Sequence, residues 1–194
     1  KKEIISFSNA FHGRTMGALS LMDKQKYRDG YEPFLPHCNV VAFNDPISLR
    51  AAVNDQTAAV MLEFIQGEGG ICLASHELIR EIESLRQKHD FLVIADEIQS
   101  VLGRTGRFFG FQHYAIRPDV VAMAKPLGGG LPLGAFLGNE KVANVFDVGV
   151  HGTTFGGNPV ACAAGIAVLC ELMENGVMKS AEMQGSLLKS ELLL

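Results

Sequence analysis

Val120-Val121-Ala122-Met123-Ala124-Lys125-Pro126-Leu127-Gly128-Gly129-Gly130 sets a short apolar run against a lysine, a proline and a glycine loop. The run through Ala124 reads as a buried strand, and the loop opens at Gly128. A lysine at the carboxyl end of a buried strand can lose its charge to desolvation, and the neutral amine attacks aldehydes. Upstream, Phe91–Ala95 is a second strand that runs into Asp96-Glu97-Ile98-Gln99. An acid and a lysine at the ends of two strands of one sheet are what a pyridine aldehyde requires. The amine holds the aldehyde as a Schiff base, and the acid keeps the ring nitrogen protonated. Taken alone, Lys125 reads more simply as a strand-end residue leaving for solvent.

Outward from these two strands the same alternation continues. Ile4–Phe7, Val40–Phe43, Ala58–Phe64 and Gly134–Gly138 read as further strands. Ser75 is a ready N-cap for a helix whose Leu78, Ile82 and Leu85 recur at helical spacing, with Ile79 widening the stripe. Pro46–Val53 has room for two helical turns, and Asp23–His37 reads as loop with at most a short helix. Asn158-Pro159 caps a long helix of small and apolar residues, which its all-round apolarity predicts to be buried between layers. A more amphipathic helix follows Gly176. Apolar strands alternating with helices predict an α/β protein: three layers, with a mostly parallel sheet flanked by helices. Ligands of such sheets sit at the carboxyl ends of the strands, where Glu63–Gly70, Asp96–Gln99 and Lys125 all fall.

The bulk numbers exclude several classes. The chain has 194 residues, 47% hydrophobic and 20% charged, with a net charge of −4. That composition forms a core, and it lacks the basic footprint of a nucleic-acid partner. No basic run suggests a membrane surface, and the apolar stretch Pro159–Met173 is too short to span a bilayer. The four cysteines lie far apart without a metal-like spacing, which fits reduced thiols of a cytoplasmic protein and no metal. No lysine-serine or lysine-threonine pair follows the glycine run, so a phosphate-binding Walker loop is excluded. The chain opens inside a strand without an initiator methionine and closes on Glu-Leu-Leu-Leu within a helical pattern, as an internal piece truncated at both ends would.

Six segments, in order, resemble one family: FHGRT (11–15), EFIQGEGG (63–70), ADEIQ (95–99), GRTG (103–106), AKPLGGG (124–130) and HGTTFGGNP (151–159). They resemble the central part of a class III pyridoxal-phosphate-dependent aminotransferase of the acetylornithine, ornithine and 4-aminobutyrate branch. The resemblance implies an aspartate-aminotransferase-type large domain over residues 1–175, with 176–194 beginning the helix toward a small C-terminal domain. It also implies pyridoxal 5'-phosphate as cofactor, and a homodimer with shared active sites.

Site residues follow from the same resemblance. Lys125 matches the Schiff-base lysine and proton carrier, and Asp96 the acid beside the ring nitrogen. Gln99 matches the amide at the phenolic oxygen, Phe11 the aromatic on the ring face, and His12 a residue that orders the pocket. Arg14 resembles the arginine that grips a substrate carboxylate, where a planar fork suits better than lysine. Glu68 matches the glutamate that swings aside between half-reactions. Thr154 matches the threonine offered to the phosphate of the partner subunit, and Thr153 a hydroxyl near substrate. Outside these motifs Phe11 would be a core phenylalanine, Arg14 a surface arginine, Glu68 a loop acid and Thr153-Thr154 a turn. Glu63 reads as structural.

The implied reaction moves an amino group from an acetylornithine-like ω-amino donor to 2-oxoglutarate. Ornithine, succinylornithine and 4-aminobutyrate are alternative donors. A semialdehyde aminomutase and a folded fragment without turnover are the other readings. Phe64 stands where most relatives have proline, Phe155 where tyrosine is common, and Thr153 where serine is frequent. The family's main phosphate cup and its second arginine fall outside this sequence.

Overall fold

The computed structural model describes residues 1–193; Leu194, the last residue of the expected C-terminal helix, lies outside them. The chain is α/β, and six strands build its main, mostly parallel sheet with helices flanking it. The first half contains β1 Glu3–Phe7, α1 Met16–Ser20, α2 Gln25–Arg28, β2 Cys38–Val41, α3 Pro46–Ala52 and β3 Thr57–Leu62. A two-stranded antiparallel hairpin, β4 Ile65–Gln66 with β5 Cys72–Leu73, precedes α4 His76–His89 and β6 Leu92–Asp96. Then come β7 Val120–Met123, β8 Ala135–Gly138, α5 Glu140–Ala143, α6 Pro159–Glu174 and α7 Val177–Leu192.

Two compact units divide these elements. The first, Lys1–Asp96 with Tyr114–Val120, carries strands in the order β2-β1-β3-β6, and every pairing is parallel. β3 and β6 run side by side from Ala59↔Leu92 to Leu62↔Ala95, which brings both chains to their carboxyl ends together. Ile5, Phe7, Val60, Leu62, Phe91 and Val93 are almost wholly buried. α4 covers this core. Its Ser75 hydroxyl accepts the Leu78 N–H at 3.1 Å, and the stripe Leu78, Ile79, Ile82, Leu85 is buried. Each such side chain contributes roughly 1.5–3 kcal/mol of burial. Arg86, Lys88 and His89 fill its last turn, where the helix dipole favours cations.

The second unit is Glu97–His113 with the chain from Val121 onward. Its core is Val101, Leu102, Met123, Leu127 and Leu172. α6 is capped as its sequence predicts: the Asn158 side chain accepts the Ala161 N–H at 2.9 Å, and Pro159 opens the first turn. Its burial differs from expectation. Only Ala161, Gly165 and Leu172 are buried, while Val160, Ile166 and Met173 are 69%, 62% and 70% exposed. The small residues make one narrow contact: a Cβ at Gly165 would stand 3.1 Å from the Leu127 carbonyl oxygen and 3.0 Å from Leu133. An all-round apolar sequence lets a helix be covered on every side, but the described residues cover only the side that bears Ala161, Gly165 and Leu172.

Strand boundaries also shift. β2 begins at Cys38 and β3 stops at Leu62, because Glu63 turns the chain toward β4; β7 ends at Met123, ahead of a 3-10 turn over Lys125–Gly128. No single helix among the described residues is long and apolar enough to cross a membrane. The pair α6 and α7, bent by 65°, reaches that length only when joined.

Candidate active site

In the first unit, β1 and β6 both deliver side chains at their carboxyl ends. His12 follows β1 and Asp96 closes β6, and His12 Nδ1 lies 2.8 Å from Asp96 Oδ2 with side-chain exposures of 0% and 3%. A carboxylate so withdrawn from water needs this partner, since an uncompensated buried charge costs several kcal/mol, about 3–5 when a pair is broken. The other ring nitrogen, His12 Nε2, is buried without a hydrogen-bond partner. Phe11 packs edge-on against Tyr27, centroids 5.3 Å apart, and both belong to a cluster with Leu19, Met22 and Phe34. The Arg14 guanidinium lies 5.7 Å from the Phe11 ring centre and 4.9 Å from that of Tyr27. Its charge therefore rests on two aromatic faces while the residue stays exposed. Thus Phe11, His12, Arg14 and Asp96 form one connected group.

Glu63 underlies this group. It is 3% exposed; Oε1 accepts the Phe11 N–H at 2.8 Å and Oε2 the Gly67 N–H at 3.4 Å. Burial raises its carboxyl above the ordinary glutamate range, against the lowering by the Phe11 N–H and by His12. Glu68, on the following loop, is exposed, and its carbonyl accepts from Lys24 Nζ at 2.6 Å.

In the second unit, Lys125 opens the 3-10 turn with φ +47°, a left-handed backbone unusual for a long side chain. Such a conformation costs of order 1–3 kcal/mol and persists where the surroundings impose it. The side chain is exposed, so the desolvation expected from a buried strand end is not seen; the strand stops short and the turn lifts the lysine out. Gln99 is half-buried, and its Nε2 has no partner. Thr153 and Thr154 are exposed, and Thr153 Oγ1 accepts the Gly156 N–H at 3.1 Å, as a turn residue does. Among the described residues no hydrogen bond joins Gln99, Lys125 and the Thr153-Thr154 pair.

Glu97 is the residue the sequence reading left without a role. Fully buried, it accepts from Ser100 Oγ at 2.6 Å, Gly110 N at 2.8 Å and Phe111 N at 2.8 Å. It gathers the segment after Gln99 into a closed loop. The one signal available is a second acid directly after Asp96 at the end of an apolar strand, where buried charges are nearly always satisfied.

Orphaned polar atoms test whether pyridoxal 5'-phosphate suits these residues. Leaving a buried polar atom unpaired costs about 1–3 kcal/mol, so His12 Nε2 in the first unit and the Gln99 amide in the second are each a place where a polar ligand recovers energy. A phenol, a ring nitrogen and a phosphate supply such groups, and the residues fit.

The sequence pattern described as aminotransferase class-III matches residues 1–194. The acetylornithine aminotransferase of Archaeoglobus fulgidus is 45% identical over 185 residues, 95% of this chain and 49% of that protein. That of Halalkalibacterium halodurans is 44% identical over 192 residues, covering 99% of this chain and 50% of the relative. Among solved structures, a Toxoplasma gondii ornithine aminotransferase, described with partial occupancy of pyridoxal phosphate at its active site, matches with TM-score 0.92 and 33% identity. The match covers 98% of this chain and 45% of that one. The fold is that of an aminotransferase core. The chain belongs to the class-III aminotransferases, a family that works with pyridoxal 5'-phosphate. It spans about half the length of the curated relatives it matches.

Proposed function

We propose that the protein to which this chain belongs transfers an amino group from an acetylornithine-like ω-amino donor to 2-oxoglutarate, using pyridoxal 5'-phosphate at Lys125. The observation that carries this reading is the buried His12–Asp96 pair, a carboxylate held in place yet offered at a strand end. Bound pyridoxal phosphate supplies an aldehyde that captures amino groups and a cationic ring that withdraws electrons. Asp96 is the anionic partner that keeps the ring nitrogen protonated, and His12 Nδ1 fixes the direction of its carboxylate. The Gln99 amide donates to the phenolic oxygen, and Phe11 covers one ring face. The Lys125 amine would hold the cofactor's aldehyde and, once freed, take the proton from the substrate carbon and return it to the cofactor carbon. Arg14, steadied by Phe11 and Tyr27, receives a substrate carboxylate as a bidentate fork, with Glu68 and Thr153 bordering the same substrate.

We also infer a homodimer in which Thr154 serves the phosphate of the partner subunit. The exposed Thr153-Thr154 turn and the uncovered apolar side of α6 support this. Free cysteines fit a reducing compartment such as the cytoplasm. The acetylornithine aminotransferases at 44–45% identity favour that donor, and the ornithine aminotransferase structure at 33% makes ornithine the second reading. Glutamate formation from 2-oxoglutarate, measured for the complete reading frame with each donor, decides. A kcat/KM for acetylornithine at least about tenfold above ornithine supports the first donor, a difference of ~1.4 kcal/mol. No glutamate with any amine rejects the activity.

A further inference from the structure

Two chain segments meet at the carboxyl ends of β1 and β3. One, Ser8–His12, bears the phenyl assigned above to the cofactor face. The other, Glu63–Gly70, bears Glu68. Two contacts join them, and a third ties Lys24, outside both, to the Glu68 loop. Glu63 accepts the Phe11 N–H at 2.8 Å; Gln66 Nε2 donates to the Ser8 carbonyl at 2.9 Å; and Lys24 Nζ donates to the Glu68 carbonyl at 2.6 Å. Gly69 lets the two backbones close up, since a Cβ there would lie 2.7 Å from Gln66 Oε1 and 3.3 Å from the Asn9 carbonyl oxygen. Gln66 is 1% exposed and Glu63 3%.

We propose that Glu63 is a positioning residue for the transamination inferred above: its single buried carboxylate holds the Phe11 and Gly67 backbones together and so fixes the ring-covering phenyl relative to the Glu68 loop. The proposal rests on that reading for the role of Phe11 and Glu68, and on geometry alone for the staple. Stability does not account for a charged group here. Burial pushes the Glu63 carboxyl upward despite the Phe11 N–H and the His12 ring, and Asp96 pushes it the same way. A residue retained for folding alone would gain by losing that charge. What the carboxylate uniquely offers is two acceptor oxygens for two N–H groups at one point. An amide at the same position keeps one acceptor and turns a donor against the second N–H.

Glu63→Gln separates position from fold. Amide hydrogen exchange on this chain reads the staple, and the visible circular dichroism of added pyridoxal phosphate, per cofactor bound, reads how the ring is held. The variant should melt close to the wild type, exchange the Phe11 or Gly67 amide about tenfold or more faster, as loss of a charge-assisted bond implies, and give a smaller dichroic band. Unchanged exchange at both amides overturns the staple. Faster exchange with an unaltered band per cofactor overturns the positioning role. A complete wild-type protein that shows no cofactor band at all refutes the functional reading instead, and the exchange result still decides whether Glu63 joins the two segments.

Discussion

His12 Nδ1 and Asp96 Oδ2 stand 2.8 Å apart in a place almost closed to solvent, one after β1 and the other at the end of β6. The two strands are not neighbours, since β3 lies between them. The contact therefore reaches across a strand end, and it locks the segment bearing Phe11 to the acid.

Removing the histidine takes a buried, charge-assisted contact away from the Asp96 carboxylate. His12→Phe should destabilise the chain by about 3–5 kcal/mol. Urea denaturation at neutral pH measures this. A loss below ~1 kcal/mol would mean that the pair is solvated in solution.

Asp96→Asn tests the electronic role. The variant keeps the shape and one acceptor but loses the anion, so turnover of the complete enzyme should fall at least ~100-fold. Near-normal turnover would remove Asp96 from the proposed chemistry.

Borohydride reduction of the chain incubated with pyridoxal phosphate should attach the cofactor to Lys125. Peptide mapping identifies the labelled lysine. Label on Lys24, Lys26 or Lys141 in its place would refute the assignment.

Glu63 gives stability a pH signature. Its folded pKa is raised by burial, so its contribution is fully present below the ordinary glutamate pKa and is lost as pH rises through the raised value. Relative to Glu63→Gln, which cannot ionise, the wild type should lose stability as pH climbs from the ordinary carboxylate range upward. A constant stability difference between the two proteins at every pH would show that burial does not shift the Glu63 titration.

The seam of α6 is testable through Gly165. Its Cβ position faces the Leu127 carbonyl, which is backbone and yields little. Gly165→Val should cost roughly 1–3 kcal/mol by overpacking, even though valine suits a helix better than glycine. A melting temperature at or above that of the wild type would show that α6 can move off the turn.

Much of this architecture is legible before any coordinates. The stripe Leu78, Ile82, Leu85 after Ser75 specifies both the face and the start of α4, because periodicity and capping are local. Apolar runs ending in Asp96 and near Lys125 mark β6 and β7 for the same reason. Other features depend on partners distant in sequence. That Glu97 would collect the N–H groups of Gly110 and Phe111 is a matter of loop closure, which no window of neighbouring residues encodes. The β4–β5 hairpin is too short to show a period. The burial of α6 differs from its sequence pattern because hydrophobicity records what an element could bury and not what is present to bury it. Lys125 is exposed at the end of an apolar run, and its single residue of left-handed backbone is not encoded by that run.

That left-handed residue bears on how such a sequence would drift. At φ +47° glycine stands without steric penalty and asparagine with little, whereas lysine is held there against its conformational preference. Folding alone therefore favours replacing Lys125. A gene copy released from selection for chemistry would find this substitution among its easiest, giving a fold that persists after its nucleophile has gone.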